Sequence, residues 1–346
     1  MQHARNLPDS ARNPWIDNAR FVLIVLVVFG HSLEPLLGSG HPTVEAAYRF
    51  IYLFHMPAFA ALSGAVASTG LDASTLRKIV FRLLLPYLVF QGLYTLAAMS
   101  SNWPDDGPGG IATPYWLLWY LPSLACWRLM LPFFARLRFR IVLAVSLALA
   151  AGWAGDLGYY LSLSRILVFF PFFLLGWRFV PAWREQSRML PVRVGAIITL
   201  LALLALSFTS HPDPHWLYGS YGYSDLDVSA LVGVGLRALQ LAGACLAGLA
   251  VLALIPRRHT HISALGQGSL SAYLLHGFVI KFAIGFGLFG VLAPLPPALS
   301  LTLLAAAALV LAAILATPPV HRLIASASSP AWLRRALWHP QRETTA

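Results

Sequence analysis

Charge is scarce in this chain. Only 11% of its 346 residues are Asp, Glu, Lys or Arg, and just 13 are acidic. A soluble domain carries about 25% charged residues, so the solvent of most of these side chains is lipid. Cysteine is nearly missing too. Cys126 and Cys245 both lie in apolar sequence, which excludes a disulfide framework and a clustered Cys/His metal site; neither a metal nor a bound cofactor is expected. The first nineteen residues show no small-residue cleavage site. They contain Arg5, Asp9, Arg12 and Asp17, and Glu34 follows His31 inside the first apolar segment, so no cleavable signal peptide is expected and this segment should stay in the mature protein. No internal repeat is visible.

What the chain has in quantity is apolar sequence, 58% of all residues. Segments long enough to span a bilayer are read at 20–37, 47–68, 79–99, 115–134, 140–155, 161–179, 192–209, 228–255, 264–290 and 297–317. Basic residues then orient them through the positive-inside rule. Arg5 and Arg12 precede the first segment, Arg77 and Lys78 separate the second and third, and Arg136 and Arg138 separate the fourth and fifth. Arg178, Arg184, Arg188 and Arg193 follow the sixth, Arg257 and Arg258 follow the eighth, and Arg322, Arg334, Arg335 and Arg342 fill the tail. The alternate connections hold Glu45, Asp105, Asp106, Asp156, Asp213, Asp225 and Asp227 instead. This alternation predicts an all-α polytopic integral membrane protein of about ten transmembrane helices with both termini cytoplasmic. Residues 1–18 form a cytoplasmic segment, 19–318 the membrane domain, and 319–346 a cytoplasmic tail in which Pro330–Trp338 suits a short interfacial helix. The net charge of +11 is a topology signal; a nucleic-acid partner would need the basic residues on one soluble surface.

Ionisable residues at bilayer depth are functional-site hypotheses by default. Arg20 and His31 bracket a run free of other charge. Eleven residues are close to three helical turns, so both project from nearly one face, about 16 Å apart along the axis. Asp17 stands three residues before Arg20, spaced for a local ion pair. Glu34 stands three residues beyond His31 and can orient the imidazole, or simply reach water. By the same topology His55 and His276 fall at a similar middle depth, although each could equally be a packed histidine bonded to a neighbouring helix. Arg77, Lys78 and Arg82 gather near the inner mouth of the third segment, where Arg82 enters apolar sequence. Arg49, Arg165, Arg237 and Lys281 lie toward the outer half and need carboxylates or a hydroxyl-rich substrate as partners; Arg128 lies nearer the inner half. The connection around 210–226, SHPDPHWLYGSYGYSDLD, interleaves aromatics with carboxylates. That composition suits sugar binding, and an interfacial aromatic belt produces it as well.

A histidine at that depth can act as general base on a hydroxyl, with inner arginines holding an anionic donor. An acyl-CoA fits that role. The stretch Trp15-Ile-Asp-Asn-Ala-Arg20, followed by ten residues and His31, resembles the signature of the acyltransferase 3 family of membrane O-acyltransferases. The resemblance continues through Phe54-His55-Met56-Pro57, Ser63-Gly64, Arg82-Leu-Leu-Leu-Pro86-Tyr87, Trp119-Tyr120-Leu121, Ser164-Arg165 to Gly176, and Leu265-Gly-Gln-Gly to Tyr273-Leu-Leu-His276. The FHMP and FFPFFLLG forms are most similar to the fucose 4-O-acetylase-like branch; Ala60-Ala61 departs from the bulkier residues common there. The resemblance implies transfer of an acyl group, usually acetyl, from acyl-CoA to a hydroxyl of an extracytoplasmic carbohydrate or glycolipid in the bacterial inner membrane. It implies His31 as catalytic base with Arg20 in support, and Glu34 is placed beside them. Arg20, Arg77, Lys78 and Arg82 are the candidate acyl-CoA-binding residues, and Arg165, Arg49 and Trp119 the candidate acceptor-binding residues. His55, His276, Tyr273 and Ser63 are candidate supporting polar groups, with His55 or Tyr273 as oxyanion donor. Direct attack and a covalent acyl-histidine relay both remain open, as do acetyl and succinyl donors. A permease for a sugar-containing substrate is the competing class; a non-catalytic sensor or anchor is a third.

Overall fold

A computed structural model describes residues 13–337 except 39, 101–102, 105–109, 156–159 and 293. Arg5, Asp9, Arg12, Asp105, Asp106, Asp156, Trp338 and Arg342, and the side chains of Arg334 and Arg335, lie outside the described part. The chain forms helices α1 (Pro14–Leu33), α2 (Pro42–Ala65), α3 (Ala73–Ile79), α4 (Leu85–Ala97), α5 (Tyr120–Arg136), α6 (Arg140–Ala150), α7 (Leu163–Gln186), α8 (Leu190–Thr209), α9 (His215–Tyr218), α10 (Ala230–Leu254), α11 (His261–Gln267), α12 (Ser269–Gly285), α13 (Pro297–Leu315), α14 (Pro318–Ser328) and α15 (Ala331–Leu337). No strand occurs among the described residues. Among the described residues seven helical stretches are long and apolar enough to cross a membrane, eight if the bent pair α11–α12 counts as one. That is fewer than the ten expected. The second expected segment falls on α2, whose Glu45, Arg49 and His55 dilute its apolarity, and the fifth falls on α6, which is too short.

Local chemistry sets the helix ends. Asn13 caps α1 by accepting from the Trp15 amide, and Pro14 occupies its first turn, where a missing N–H costs nothing. At the other end Pro35 interrupts the ladder and the chain tightens into a 3-10 turn at Glu34–Leu36, which fixes Glu34 one turn beyond His31. Between α3 and α4 the helix widens to a π turn at Val80–Leu84 that carries Arg82; such bulges re-aim side chains and recur at functional sites.

Packing depends on glycine where helices cross. A Cβ on Gly64 would lie 1.9 Å from the Phe173 carbonyl oxygen, and one on Gly176 would lie 1.9 Å from that of Ala61. The Ser-Gly of α2 and the glycine of the FFPFFLLG run in α7 therefore form one close crossing, a small-residue contact of the kind that lets membrane helices approach. Ala61 belongs to the same contact. The ninth expected segment is not one straight span. It bends by 76° between α11 and α12, and at the bend Gly266 packs closely on the backbone of Asp17 of α1 and Gly268 on that of Ala316 at the end of α13. These contacts place α1 among α2, α11, α12 and α13. In contrast, α8 turns Leu190, Ile198, Leu201 and Leu206 outward, as a lipid-facing helix would.

Candidate active site

Asn18, in the first quoted motif, is wholly buried. Its amide donates to the carbonyls of Pro256 at 2.9 Å and Arg258 at 3.0 Å. Its oxygen accepts from Thr260 Oγ1 at 3.0 Å and Ser263 Oγ at 2.7 Å. The residue is a staple that ties the start of α11 to α1, and it holds the rotational setting of the helix that carries Arg20 and His31.

Near the N-terminal end of α1, Arg20 Nη1 donates to Asp17 Oδ1 at 3.2 Å, the local pair expected from the spacing. Arg20 and Arg82 both act electrostatically on Arg128 of α5, and Arg20 and Arg128 act on Tyr120. Arg20 of α1 and Arg82 of the π turn are thus both within electrostatic reach of Arg128 of α5, whose Nε is buried with no hydrogen-bond partner among the described residues. Arg77 and Lys78 do not join them; both are exposed on α3. Above the cluster Tyr120 donates to Phe59 O at 3.1 Å and shares a 2.8 Å bond with Ser63 Oγ. The Tyr120 and Tyr273 rings lie 6.2 Å apart.

His31 sits in the last turn of α1. Its Nδ1 is 2.8 Å from Glu34 Oε1, and Tyr52 OH of α2 bonds to the same carboxylate oxygen while lying 3.0 Å from His31 Nδ1. An Nδ1–H on His31 can donate to this carboxylate oxygen, and Nε2 is then the ring nitrogen that Glu34 does not engage. This is the orientation logic of an acid–histidine dyad. His55, His276 and Trp116 surround the pair. Ring centroids separate His31 from Trp116 by 4.5 Å and from His276 by 5.5 Å, and His55 lies 4.7 Å from Tyr52. Of the three histidines named from depth alone, His31 and His276 are in ring contact, and His55 packs one ring further away against Tyr52. Trp116 holds a positive φ of 36°, an outlier for a bulky residue, and Lys281 Nζ lies 4.6 Å from its ring centroid. The Glu34 carboxylate in turn acts electrostatically on Lys281. Among the described residues no three His, Cys, Asp or Glu side chains are grouped to hold a metal ion.

Both groups expected as oxyanion donors have backbone partners. Tyr273 already donates to Leu117 O at 2.5 Å, and His55 Nδ1 donates to Ile51 O at 2.8 Å, which leaves the neutral imidazole only an accepting Nε2. Neither is free to donate as placed.

Of the candidate acceptor residues, Arg165 and Trp119 come together. The guanidinium lies 5.2 Å from the indole centroid and donates to Tyr218 O at 3.1 Å and Ser220 Oγ at 3.2 Å. Arg49 stands apart, bonded to Glu45, Ser207 O and His211. It lines a cavity of about 270 Å³ beyond the C-terminal end of α1 with Glu45, Tyr48, His211 and Asp213. Tyr48 joins these regions: its hydroxyl meets Tyr218 OH at 2.7 Å, and its ring stacks on Tyr52 at 3.9 Å. Tyr52 and Trp116 escape a reading of the sequence. Tyr48, Tyr52 and His55 do share one helix face by their spacing, which is the signal that could have found Tyr52. Nothing local announces the backbone of Trp116.

The Acyl_transf_3 family model, an acyltransferase domain, matches residues 13–317. Nodulation protein NolL of Sinorhizobium fredii is 27% identical over 305 residues, 80% of this chain and 81% of that protein. Nodulation protein NolL of Mesorhizobium japonicum is 26% identical over 227 residues, 61% of this chain and 58% of its own length. No solved structure matches. The matched region takes in Arg20, His31, Arg82, Arg165 and His276 in one model, and the chain belongs to the acyltransferase 3 family as a multi-pass membrane O-acyltransferase.

Proposed function

We propose that the chain moves an acyl group, acetyl in the first instance, from cytoplasmic acyl-CoA to a hydroxyl of an extracytoplasmic carbohydrate or glycolipid. It does so in the bacterial inner membrane, as a ten-helix domain over 19–318 with both termini in the cytoplasm. The observation that carries this reading is the His31–Glu34 pair, set about 16 Å along the same helix from the arginine cluster. Arg20, Arg82 and Arg128 suit the phosphates of the donor, since guanidinium groups pair with phosphate oxygens. The thin arm of the donor then brings its thioester to His31 past Tyr120 and Ser63.

His31 Nε2 takes the proton of the acceptor hydroxyl as its oxygen bonds to the thioester carbonyl carbon. Glu34 stabilises the imidazolium through Nδ1–H. Collapse of the tetrahedral species breaks the C–S bond, and the leaving sulfur takes the proton back from Nε2. The acceptor approaches by the cavity beside Arg49 and Tyr48, and Tyr218, bonded to both Tyr48 and Arg165, leads on to Arg165 and Trp119 as further groups for a sugar. A Glu34 oxygen that accepts two bonds at once holds the dyad still, which favours chemistry over a moving transport site.

The test is mass spectrometry of cell-surface glycans and glycolipids from the wild type and a His31→Ala strain, paired with transfer of label from radioactive acetyl-CoA in isolated membranes. Loss of an acyl mark and of label in the variant is expected. An unchanged acyl pattern would sink the reading, and sugar uptake that persists in the wild type without acetyl-CoA consumption would favour a permease.

A further inference from the structure

The three imidazoles at the site differ in what their second nitrogen does. His276 Nδ1 is 2.9 Å from Ala272 O. A carbonyl has no proton to give, so Nδ1 carries one, and Nε2 of the neutral ring is a lone-pair acceptor. His276 is 0% exposed, and its Nε2 has no hydrogen-bond partner among the described residues. Buried polar atoms are almost always paired, and an exception needs an explanation.

Among the described residues most other buried side-chain atoms without partners are N–H donors or hydroxyls scattered through the fold, such as Trp15 Nε1, Arg237 Nε and Ser162 Oγ, with Gln240 Oε1 the other acceptor. His276 Nε2 is set apart by its place: it is an acceptor on a ring 5.5 Å from that of His31. Its helix is clamped at this turn. Tyr94 OH donates to Leu274 O at 3.0 Å, and a Cβ on Gly277 would fall 2.2 Å from that hydroxyl oxygen. The imidazole is therefore held in place, and its carrier turn cannot drift to find a protein donor.

Resting on the transferase reading, we infer that His276 is a substrate-binding residue whose buried, otherwise unpaired Nε2 accepts a hydrogen bond from an O–H or N–H of a substrate lying against His31. The proton of the reacting hydroxyl goes to His31, so the bond to His276 comes from a second donor near the reacting centre. Two groups have that chemistry. One is a hydroxyl adjacent to the acylated one on a sugar, and the other is the amide N–H nearest the thioester on the arm of the donor.

The experiment uses full-length protein in detergent and in membranes. His276→Gln keeps an acceptor in its amide oxygen; His276→Phe keeps a ring and removes the acceptor. Acetyl-CoA affinity is measured without any acceptor, and label transfer in membranes is measured at limiting and saturating acetyl-CoA. H276F should lose at least tenfold in transfer, with H276Q recovering part of it, a recovery that a purely structural role would not give. A matching loss of acetyl-CoA affinity in H276F assigns the bond to the amide of the donor. Unchanged affinity with transfer lost at saturating acetyl-CoA assigns it to a hydroxyl of the acceptor. If H276F is not recovered folded, His276→Leu takes its place. Transfer within threefold of wild type in both variants overturns the inference alone. A wild type that neither binds nor consumes acetyl-CoA overturns the donor reading, and the inference with it.

Discussion

Replacing Glu34 by Gln is the sharpest test of the dyad. The carboxylate accepts from His31 Nδ1 at 2.8 Å and from Tyr52 OH, and a Gln side chain preserves shape while removing the charge. Two losses follow. A charge-assisted hydrogen bond becomes a neutral one, a difference of about 1–2 kcal/mol. The imidazolium formed in the transition state also loses its counter-ion; two unit charges 4 Å apart are worth about 4 kcal/mol at an effective dielectric of 20. The Glu34 side chain is 26% exposed, so solvent screens part of this, and a total of about 2–4 kcal/mol is expected. At 1.36 kcal/mol per factor of ten, that is roughly 30- to 1,000-fold in kcat. The assay is label transfer from acetyl-CoA in membranes at saturating donor, with protein quantity and thermal stability in detergent matched to wild type. Tyr52→Phe serves as the graded companion: it removes one bond to the carboxylate and leaves the Glu34–His31 pair, for an expected loss of about 1–2 kcal/mol, roughly 5- to 30-fold. A Glu34→Gln enzyme within threefold of wild type, or a Tyr52→Phe enzyme worse than Glu34→Gln, would refute the orienting role.

Arg128→Ala should raise the acetyl-CoA KM by about tenfold or more, the worth of one charged hydrogen bond, whereas Arg77→Ala and Lys78→Ala should leave it within twofold; equal effects from all three would disprove a discrete cluster. Gly64→Ala or Gly176→Ala forces a methyl group into a carbonyl of the facing helix and should cost about 1–3 kcal/mol or more, read as a lower Tm in detergent. Gly243→Ala is the control, because a Cβ there meets only Leu53 methyl carbons at 3.9 Å. Asn18→Ala strands four hydrogen-bonded partners and should lose about 3 kcal/mol of stability; a Tm equal to wild type would show that the staple is not needed.

Much of the architecture is legible in the sequence because its signals are local. Apolar run lengths report helices that suit a bilayer, Pro14 and Pro297 mark helix starts, and Pro35 marks where α1 loosens. The i,i+3 spacing of Asp17 with Arg20 and of His31 with Glu34 already implies both pairs, since one helix decides them. Length and apolarity do not deliver all ten segments: α2 is lined with polar site residues, and α11–α12 is bent at close backbone contacts that hydropathy does not register. The motif around Asn18 reads as chemistry from the sequence, yet its most buried member is structural. The arginines show the same divide. Arg77, Lys78 and Arg82 look alike in a row, but only Arg82 is turned toward Arg128, by a π turn that no composition announces.

By itself the sequence determined an all-helical, multi-pass chain with charged and imidazole groups at depth, because helix formation, hydropathy and same-helix spacing are settled within a few turns. Only the tertiary structure decided that His276 faces His31, that Tyr52 reaches Glu34, and that Thr260 and Ser263 find Asn18 across more than two hundred residues. Those contacts depend on the rotation of each helix about its axis. That rotation is set by where glycines let neighbouring backbones approach, which is a property of helix pairs and of no single helix.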